Sequence, residues 1–223
     1  MLTGDRLVLL VAWATVVGVD LVSFPQALLS RPLVAAAVAG LLCGDPETGL
    51  RVGAVLELFA LDVLPVGAAR YPDYGAATVG AVAFAAMTPW PDTLGLATLY
   101  GLLFAALGGL TLRWHREGNG RAVHRAAAGL AAGEVRVITA LHYRGLAWDG
   151  IRSGLLGLVA VGGALALRRW VAPSPQFAVV SVVAIGAGLA AAVGGALRSA
   201  GRGARGRWVA AGAVGGFLLV LLR

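Results

Sequence analysis

The residues of this sequence best suited to chemistry are carboxylates in apolar surroundings. Glu57 stands midway in an apolar run, where a charged side chain is costly unless it is paired or faces a polar cavity. Gly49, Gly53 and Glu57 are spaced four apart and therefore lie along one stripe of a helix. Such glycines let another backbone or a ligand approach beside the carboxylate. The pattern predicts a ligand-binding acid at Glu57, and the alternative is a structural ion pair with Arg51 or another arginine.

Three further acids have both a structural and a functional interpretation. Asp45 immediately precedes Pro46, so it is either a helix N-cap or a ligand contact. Asp73 lies in the turn sequence 71–75, YPDYG, where it is a turn former or cap, while the two tyrosines beside it could stack on a sugar ring. Asp62 is off the face of Glu57 and is either an interface partner of Arg70 or a functional acid.

Several kinds of active site are not indicated. His115, His124 and His142 are spread along an arginine-rich stretch without the spacing of metal ligands, so we expect no metal site and no cofactor. The sequence contains no phosphate-binding Walker loop, dinucleotide fingerprint or nucleophile elbow. A membrane enzyme is therefore disfavoured as a function.

The elements that must position these acids are membrane helices. Of the 223 residues, 59% are hydrophobic, 13% are charged and 33 are glycine, which is typical of closely packed helices in a bilayer. Strict alternation of apolar and polar residues is absent, so the sequence predicts an all-α membrane protein, a polytopic helical bundle. The net charge of +7 comes from arginines between apolar runs, which favours membrane orientation and not nucleic-acid binding.

Two of the predicted helices are too short to cross the bilayer alone. We expect apolar helices at 7–22, 32–44, 49–66, 75–88, 93–112, 151–172, 176–197 and 207–222, the first of them retained and not cleaved as a signal peptide. Segments 32–44 and 75–88 are each followed at once by another apolar run, with turn sequences at 44–47 and 89–92. They predict re-entrant or broken helical hairpins, which in transporters point to the binding site.

The distribution of arginine divides the chain into three regions. Residues 1–112 form an N-terminal membrane region, 113–150 a basic loop, and 151–223 a set of C-terminal helices. Within the loop, the alanine-rich stretch 121–141 could form an amphipathic helix on the membrane surface or against a partner. The arginine excess predicts that 113–152 and the second cluster, 198–207, both face the cytoplasm.

The order of motifs in the first third of the chain resembles the mannose-family IIC permeases of the sugar phosphotransferase system. The resemblance covers about a fifth of the chain. It rests on Arg31-Pro32-Leu33, Gly40, Gly44-Asp45, Thr48-Gly49, Gly53, Leu56-Glu57, Gly67-Ala68 and Pro72-Asp73.

The resemblance implies a non-catalytic membrane subunit in the bacterial inner membrane, in complex with a IID subunit. It would bind a hexose in the membrane, and a cytosolic IIB subunit, charged through IIA, would phosphorylate the sugar. Glu57 would be a sugar ligand, with Asp45 and Asp73 as weaker candidates. Gln26 stands near the place where many relatives carry an acid and could still hydrogen-bond a hydroxyl. The alternative is a IIC-like scaffold that does not transport and works in regulation with orphan IIA and IIB proteins.

Overall fold

A computed structural model describes residues 3–62, 71–88, 93–172 and 174–199, with a few further positions between 206 and 214. The described ranges are helical and contain no strand, as predicted. Their eight helices, in chain order, are α1 (Gly4–Asp20), α2 (Pro32–Cys43), α3 (Pro46–Ala60), α4 (Tyr74–Met87), α5 (Leu94–Arg125), α6 (Ala127–Ala131), α7 (Val135–Leu167) and α8 (Gln176–Ser199).

Helices α2 and α3 form the first predicted hairpin. Pro32 begins α2, and Gly44, with φ of 76°, ends it in the left-handed conformation that favours glycine. Asp45 then caps α3, since its carboxylate accepts a hydrogen bond of 3.0 Å from the Thr48 N–H, and Pro46 occupies the first turn. Local turn chemistry therefore folds the chain back at the position that the sequence indicated.

The glycine stripe of α3 brings this helix into backbone contact with α2. A Cβ atom added to Gly49 would lie 2.7 Å from the carbonyl oxygen of Ala36 and 2.7 Å from the Cα of Gly40. A Cβ atom on Gly53 would lie 2.6 Å from that of Ala36. Of the two approaches that the sequence allowed, backbone or ligand, a neighbouring backbone occupies the stripe.

Helix α4 is the centre of the bundle. Most of its side chains are small, and every residue from Gly75 to Ala85 is buried against α1, α2, α3, α5 and α7. At 14 residues it is too short to cross a bilayer, which agrees with a broken helix. The turn expected at 89–92 lies outside the described residues.

The prediction of a basic loop at 113–150 needs a correction to its secondary structure, because most of this stretch is helical. Helix α5 continues to Arg125, supported by Glu117, which pairs with Arg113 and Arg121 one turn away on either side. Instead of one amphipathic helix over 121–141, the chain forms the short α6 and turns at Gly133, where φ is 69°. Alanine and arginine both have high helix propensity, and i,i+4 ion pairs stabilise a helix further. A stretch rich in these residues is therefore compatible with helix.

Among the described residues, three helices, α5, α7 and α8, are long and apolar enough to cross a membrane. Helix α8 packs on α3 and α5, where the Gly95 N–H donates to the Ser181 hydroxyl over 2.9 Å. Asp62 pairs with Arg198 near the end of α8, so within the described residues this acid has an interface partner. Arg70 lies outside the described residues.

Candidate functional site

A cavity of about 370 Å³ lies where the chain after α1, the end of α3 and the start of α4 meet. The backbone around it is irregular, which inside a membrane protein is tolerated only where it is buried or lines a cavity. The cavity is lined by Asp20, Leu21, Gln26, Leu28, Ser30, Arg31, Pro32, Ala60, Tyr71, Pro72 and Tyr74.

The loop at residues 21–31, called here the cavity loop, is closed by the buried carboxylate of Asp20. One carboxylate oxygen accepts from the Ala27 N–H at 2.6 Å and the other from the Ser30 N–H at 2.9 Å. These bonds satisfy backbone donors that no helix pairs. Gln26 and Leu28 adopt positive φ angles of 58° and 64° within the loop.

Gln26, one of the predicted ligand-binding residues, lines the cavity. Its side-chain nitrogen donates to the Val22 carbonyl oxygen over 3.0 Å, which fixes the amide within its own loop. The amide group has an oxygen that accepts hydrogen bonds and two N–H groups that donate them. Gln26 can therefore accept a hydrogen bond from one ligand hydroxyl or donate one to another.

Glu57 holds the first residues of α2 through two hydrogen bonds. One comes from the guanidinium of Arg31, which lines the cavity, and the other from the Leu33 N–H at 3.1 Å. Arg51, the other arginine considered, pairs instead with Glu47 on the exposed side of α3. Glu57 therefore forms an ion pair with an arginine other than Arg51, as the structural alternative predicted. Because Arg31 lines the cavity, this pair connects Glu57 to it.

Tyr71 is held against the bundle by Arg116. The guanidinium of Arg116 donates to the Tyr71 hydroxyl, and its central carbon lies 4.8 Å from the ring centroid. This cation–π contact covers part of the ring, so Tyr71 is an anchored wall of the cavity. Tyr74 lines the same cavity and is half-buried.

Asp73 lies behind the cavity wall and faces Arg152. Its carboxylate accepts from the Arg152 guanidinium at 2.7 Å, and its N–H donates to the Ala105 carbonyl oxygen at 2.9 Å. The side chain makes no capping bond to α4. Arg152 also pairs with Asp149 at 2.9 Å, and Asp149 accepts from the hydroxyl of Ser23.

The four predicted site residues thus occupy different positions relative to the cavity. Gln26 lines it, Glu57 reaches it through Arg31, and Asp73 is adjacent to the lining residue Pro72. Asp45 is twelve residues before Glu57 in sequence, which corresponds to about 18 Å along α3. It does not line the cavity.

Three residues of the site were not predicted from the sequence: Asp20 and Asp149, which are buried, and Arg152, whose side chain is 8% exposed. Asp149 and Arg152 were placed in or beside a basic loop, although their spacing of three residues next to an apolar run is a recognisable signal of an internal ion pair. The bonds of Asp20 to the cavity loop have no comparable sequence signal. Within the described ranges, no three His, Cys, Asp or Glu side chains converge as a metal site would require.

A second cavity, of about 650 Å³, lies between α5 and α7 and is mainly apolar. Its lining includes Trp114, Arg144, Trp148 and Arg152. The smaller cavity is the better candidate for a polar ligand, because it contains the polar groups of the cavity loop and a predicted site residue.

Comparisons with known proteins agree on one family. The family described as the sorbose-specific IIC component of the phosphotransferase system matches residues 6–200. Among curated relatives, the sorbose-specific EIIC component of Klebsiella pneumoniae is 33% identical over 58% of this chain and 48% of its own length. The fructose permease IIC component of Bacillus subtilis (strain 168) is 28% identical over 86% of this chain and 70% of its own length.

A third relative is the sorbose-specific EIIC component of Lacticaseibacillus casei, 41% identical over 30% of this chain and 24% of its own length. The chain thus spans about a quarter of this relative and about half of the one from Klebsiella.

Two solved structures share the fold. One, described only as a membrane protein, has a TM-score of 0.73 at 20% identity and covers 100% of this chain and 96% of its own. The other, the cryo-EM structure of the mannose transporter ManYZ with microcin E492, has a TM-score of 0.63 at 23% identity and covers 99% of this chain and 95% of its own. With a family match over most of its length, this chain belongs to the mannose-family IIC components of the sugar phosphotransferase system.

Proposed function

We propose that this chain binds a hexose in the bacterial inner membrane and conducts it, together with a IID subunit, to a cytosolic IIB subunit that phosphorylates it. IIB would receive its phosphoryl group through IIA. Family membership supports the permease role. The proposal rests on the cavity loop, an irregular segment closed by the Asp20 carboxylate, which lines a cavity between the end of α1, the end of α3 and the start of α4.

The lining of the cavity suits a small polyhydroxylated ligand. A volume of about 370 Å³ is near the lower end of the range for small-molecule sites. Gln26 and Arg31 would hydrogen-bond sugar hydroxyls, and the ring of Tyr74 would cover an apolar face of the sugar. Glu57 would act by orienting Arg31, Asp73 by holding the wall that carries Pro72, and Asp45 as a helix cap only.

The test is uptake and phosphorylation in a host that lacks its own mannose-type permease, with cognate IIA, IIB and IID supplied. Mannose, fructose and sorbose are the first sugars to try, because relatives are named for them. Sugar-dependent uptake that requires this chain is expected. Binding of IIA or IIB without uptake or binding of any hexose would favour the scaffold alternative.

Gln26→Asn tests the cavity itself. Asparagine tolerates the positive φ at this position but withdraws the amide by one methylene. Loss of one hydrogen bond of about 0.5–1.5 kcal/mol predicts a 2- to 12-fold higher KM for uptake, at roughly the same amount of protein in the membrane. Gln176→Asn at the start of α8 is the matched control and should leave the KM unchanged. An unchanged KM in Gln26→Asn would place the sugar elsewhere.

A further inference from the structure

We infer that Arg152 is a positioning residue for the cavity of about 370 Å³, called here the sugar cavity. Arg152 lies outside this cavity and holds two of the cavity walls in place. The inference rests on the proposed function of the cavity. Arg152 belongs to α7, contributes no atom to the lining of the sugar cavity, and faces the second cavity on its other side. Its guanidinium nevertheless connects, through two different carboxylates, to both irregular segments that form the site.

The first connection is to the segment that precedes α4. Arg152 Nη1 donates to Asp73 over 2.7 Å, and the side chain of Asp73 is completely buried. The backbone N–H of Asp73 is fixed to the Ala105 carbonyl oxygen of α5. Tyr71 and Pro72, immediately before Asp73, line the cavity. The position of this wall therefore depends on the Asp73–Arg152 pair.

The second connection is to the cavity loop. One carboxylate oxygen of Asp149, Oδ1, lies 2.9 Å from the Arg152 guanidinium. The other oxygen, Oδ2, accepts a hydrogen bond from the Ser23 hydroxyl. Arg152 Nη2 also approaches the carbonyl oxygen of Gly18 at 3.4 Å, near the end of α1 where the cavity loop begins. Ser23 is three residues before Gln26, so this chain of bonds sets the wall that carries the amide.

Charge and shape explain why this residue is an arginine. The side chains of Asp73 and Asp149 are fully buried and that of Arg152 is 8% exposed, so one cation separates two carboxylates out of contact with water. A planar guanidinium offers separate edges to the two acids, whereas a lysine ammonium is a single point donor. Without the guanidinium, the two carboxylates would repel and the walls that they hold would move apart.

The experiment measures wall position and sugar kinetics separately. Spin labels at Phe24 in the cavity loop and Leu50 on α3, both exposed, would be placed in a Cys43→Ala background. Arg152→Lys should broaden the distance distribution between the labels and raise the KM for uptake of the transported hexose at least tenfold. Arg113→Lys, at an exposed ion pair on α5, is the control and should change neither readout.

Milder variants keep the inference testable if Arg152→Lys fails to fold. Ser23→Ala removes the hydroxyl that binds Asp149 and should broaden the same distance distribution. Adding Asp149→Asn to this variant should change the distribution little further, because Asp149 holds the cavity loop through Ser23. Wild-type protein that transports no hexose overturns the proposed function, while the label distances still report the role of Arg152. Active wild-type protein with unchanged KM and unchanged distances in Arg152→Lys and Ser23→Ala overturns the positioning role.

Discussion

Glu57 reaches back from α3 to the beginning of α2, where its carboxylate accepts from the guanidinium of Arg31 and, at 3.1 Å, from the N–H of Leu33. A single acid thus fixes both the entry of α2 and an arginine that lines the cavity. The side chains of Arg31 and Glu57 are 27% and 20% exposed, so water screens their pair only in part.

We predict that Glu57→Gln lowers both thermal stability and sugar affinity. The neutral amide retains an acceptor for Leu33 but loses the charge-assisted bond to Arg31, and such bonds contribute about 1.5–3 kcal/mol. That loss lowers the free energy of unfolding. Arg31, no longer oriented, would also lose its own charge-assisted bond to the sugar, of about the same strength, so the KM for uptake should rise about ten- to a hundredfold. Glu47→Gln, at the exposed pair with Arg51 on the same helix, is the matched control and should alter neither property.

Arg31→Gln combined with Glu57→Gln separates the two roles considered for the acid. If Glu57 acts through Arg31, the double variant should bind sugar no worse than Arg31→Gln alone. Additive losses of affinity in this cycle would instead mean that the carboxylate contacts the sugar directly.

At the tip of the hairpin, we predict that Asp45→Ala destabilises the protein without affecting the sugar. The alanine removes the cap on Thr48, which predicts a loss of about 0.5–2 kcal/mol in unfolding free energy and an unchanged KM. Asp45→Asn, which preserves a capping oxygen, should behave nearly as the wild type. A large rise in KM in both variants would restore Asp45 as a sugar ligand.

Close contact between α2 and α3 predicts that Gly49→Ala is poorly tolerated. The new methyl group would meet the backbone of Ala36 and Gly40 at 2.7 Å, and backbone cannot move aside as a flexible side chain can. Overpacking of this kind is expected to lower stability by about 1–3 kcal/mol, measured by thermal unfolding in detergent. Gly162→Ala on α7, where a Cβ atom meets nothing within 4 Å, is the neutral control. Equal stability of the two variants would contradict the packing described.

Membrane orientation can be tested at the turns of the long helices. The arginine excess at 113–152 predicts that the turn between α6 and α7 is cytoplasmic. In a Cys43→Ala background, Ala132→Cys should react with an impermeant thiol reagent only after the cells are opened. Ala172→Cys, between α7 and α8, should react in intact cells. The reverse pattern of labelling would invert the topology.

Local signals in the sequence were sufficient for the first hairpin but not for the site behind it. Pro32, Gly44 and Asp45 specify the ends of α2 and α3 through their own backbone preferences, so the turn could be placed without tertiary information. The glycine stripe likewise predicted a close approach. It could not say whether the neighbour would be a helix or a ligand.

The buried network escaped prediction because its members are far apart in the sequence. Arg152 and Asp73 are separated by 79 positions, and Ser23 and Asp149 by 126. The Asp149–Arg152 pair has a local signal in its spacing of three residues, but nothing local to Asp73 or Ser23 specifies its partner. The prediction for 113–150 used arginine as a signal of membrane orientation, which says little about secondary structure; most of the stretch is helical, in keeping with the high helix propensity of arginine.

The way in which Asp20 closes the cavity loop bears on how substrate preference could diverge among related permeases. Its two carboxylate oxygens bind main-chain N–H groups, which every residue except proline possesses, and not the side chains of Ala27 and Ser30. The shape of the loop is therefore largely independent of which side chains it displays. Gln26 and Leu28 need only tolerate a positive φ, so mutation can exchange them while the frame persists. A lineage could in this way acquire a new sugar by changes within the loop, leaving the surrounding helices untouched.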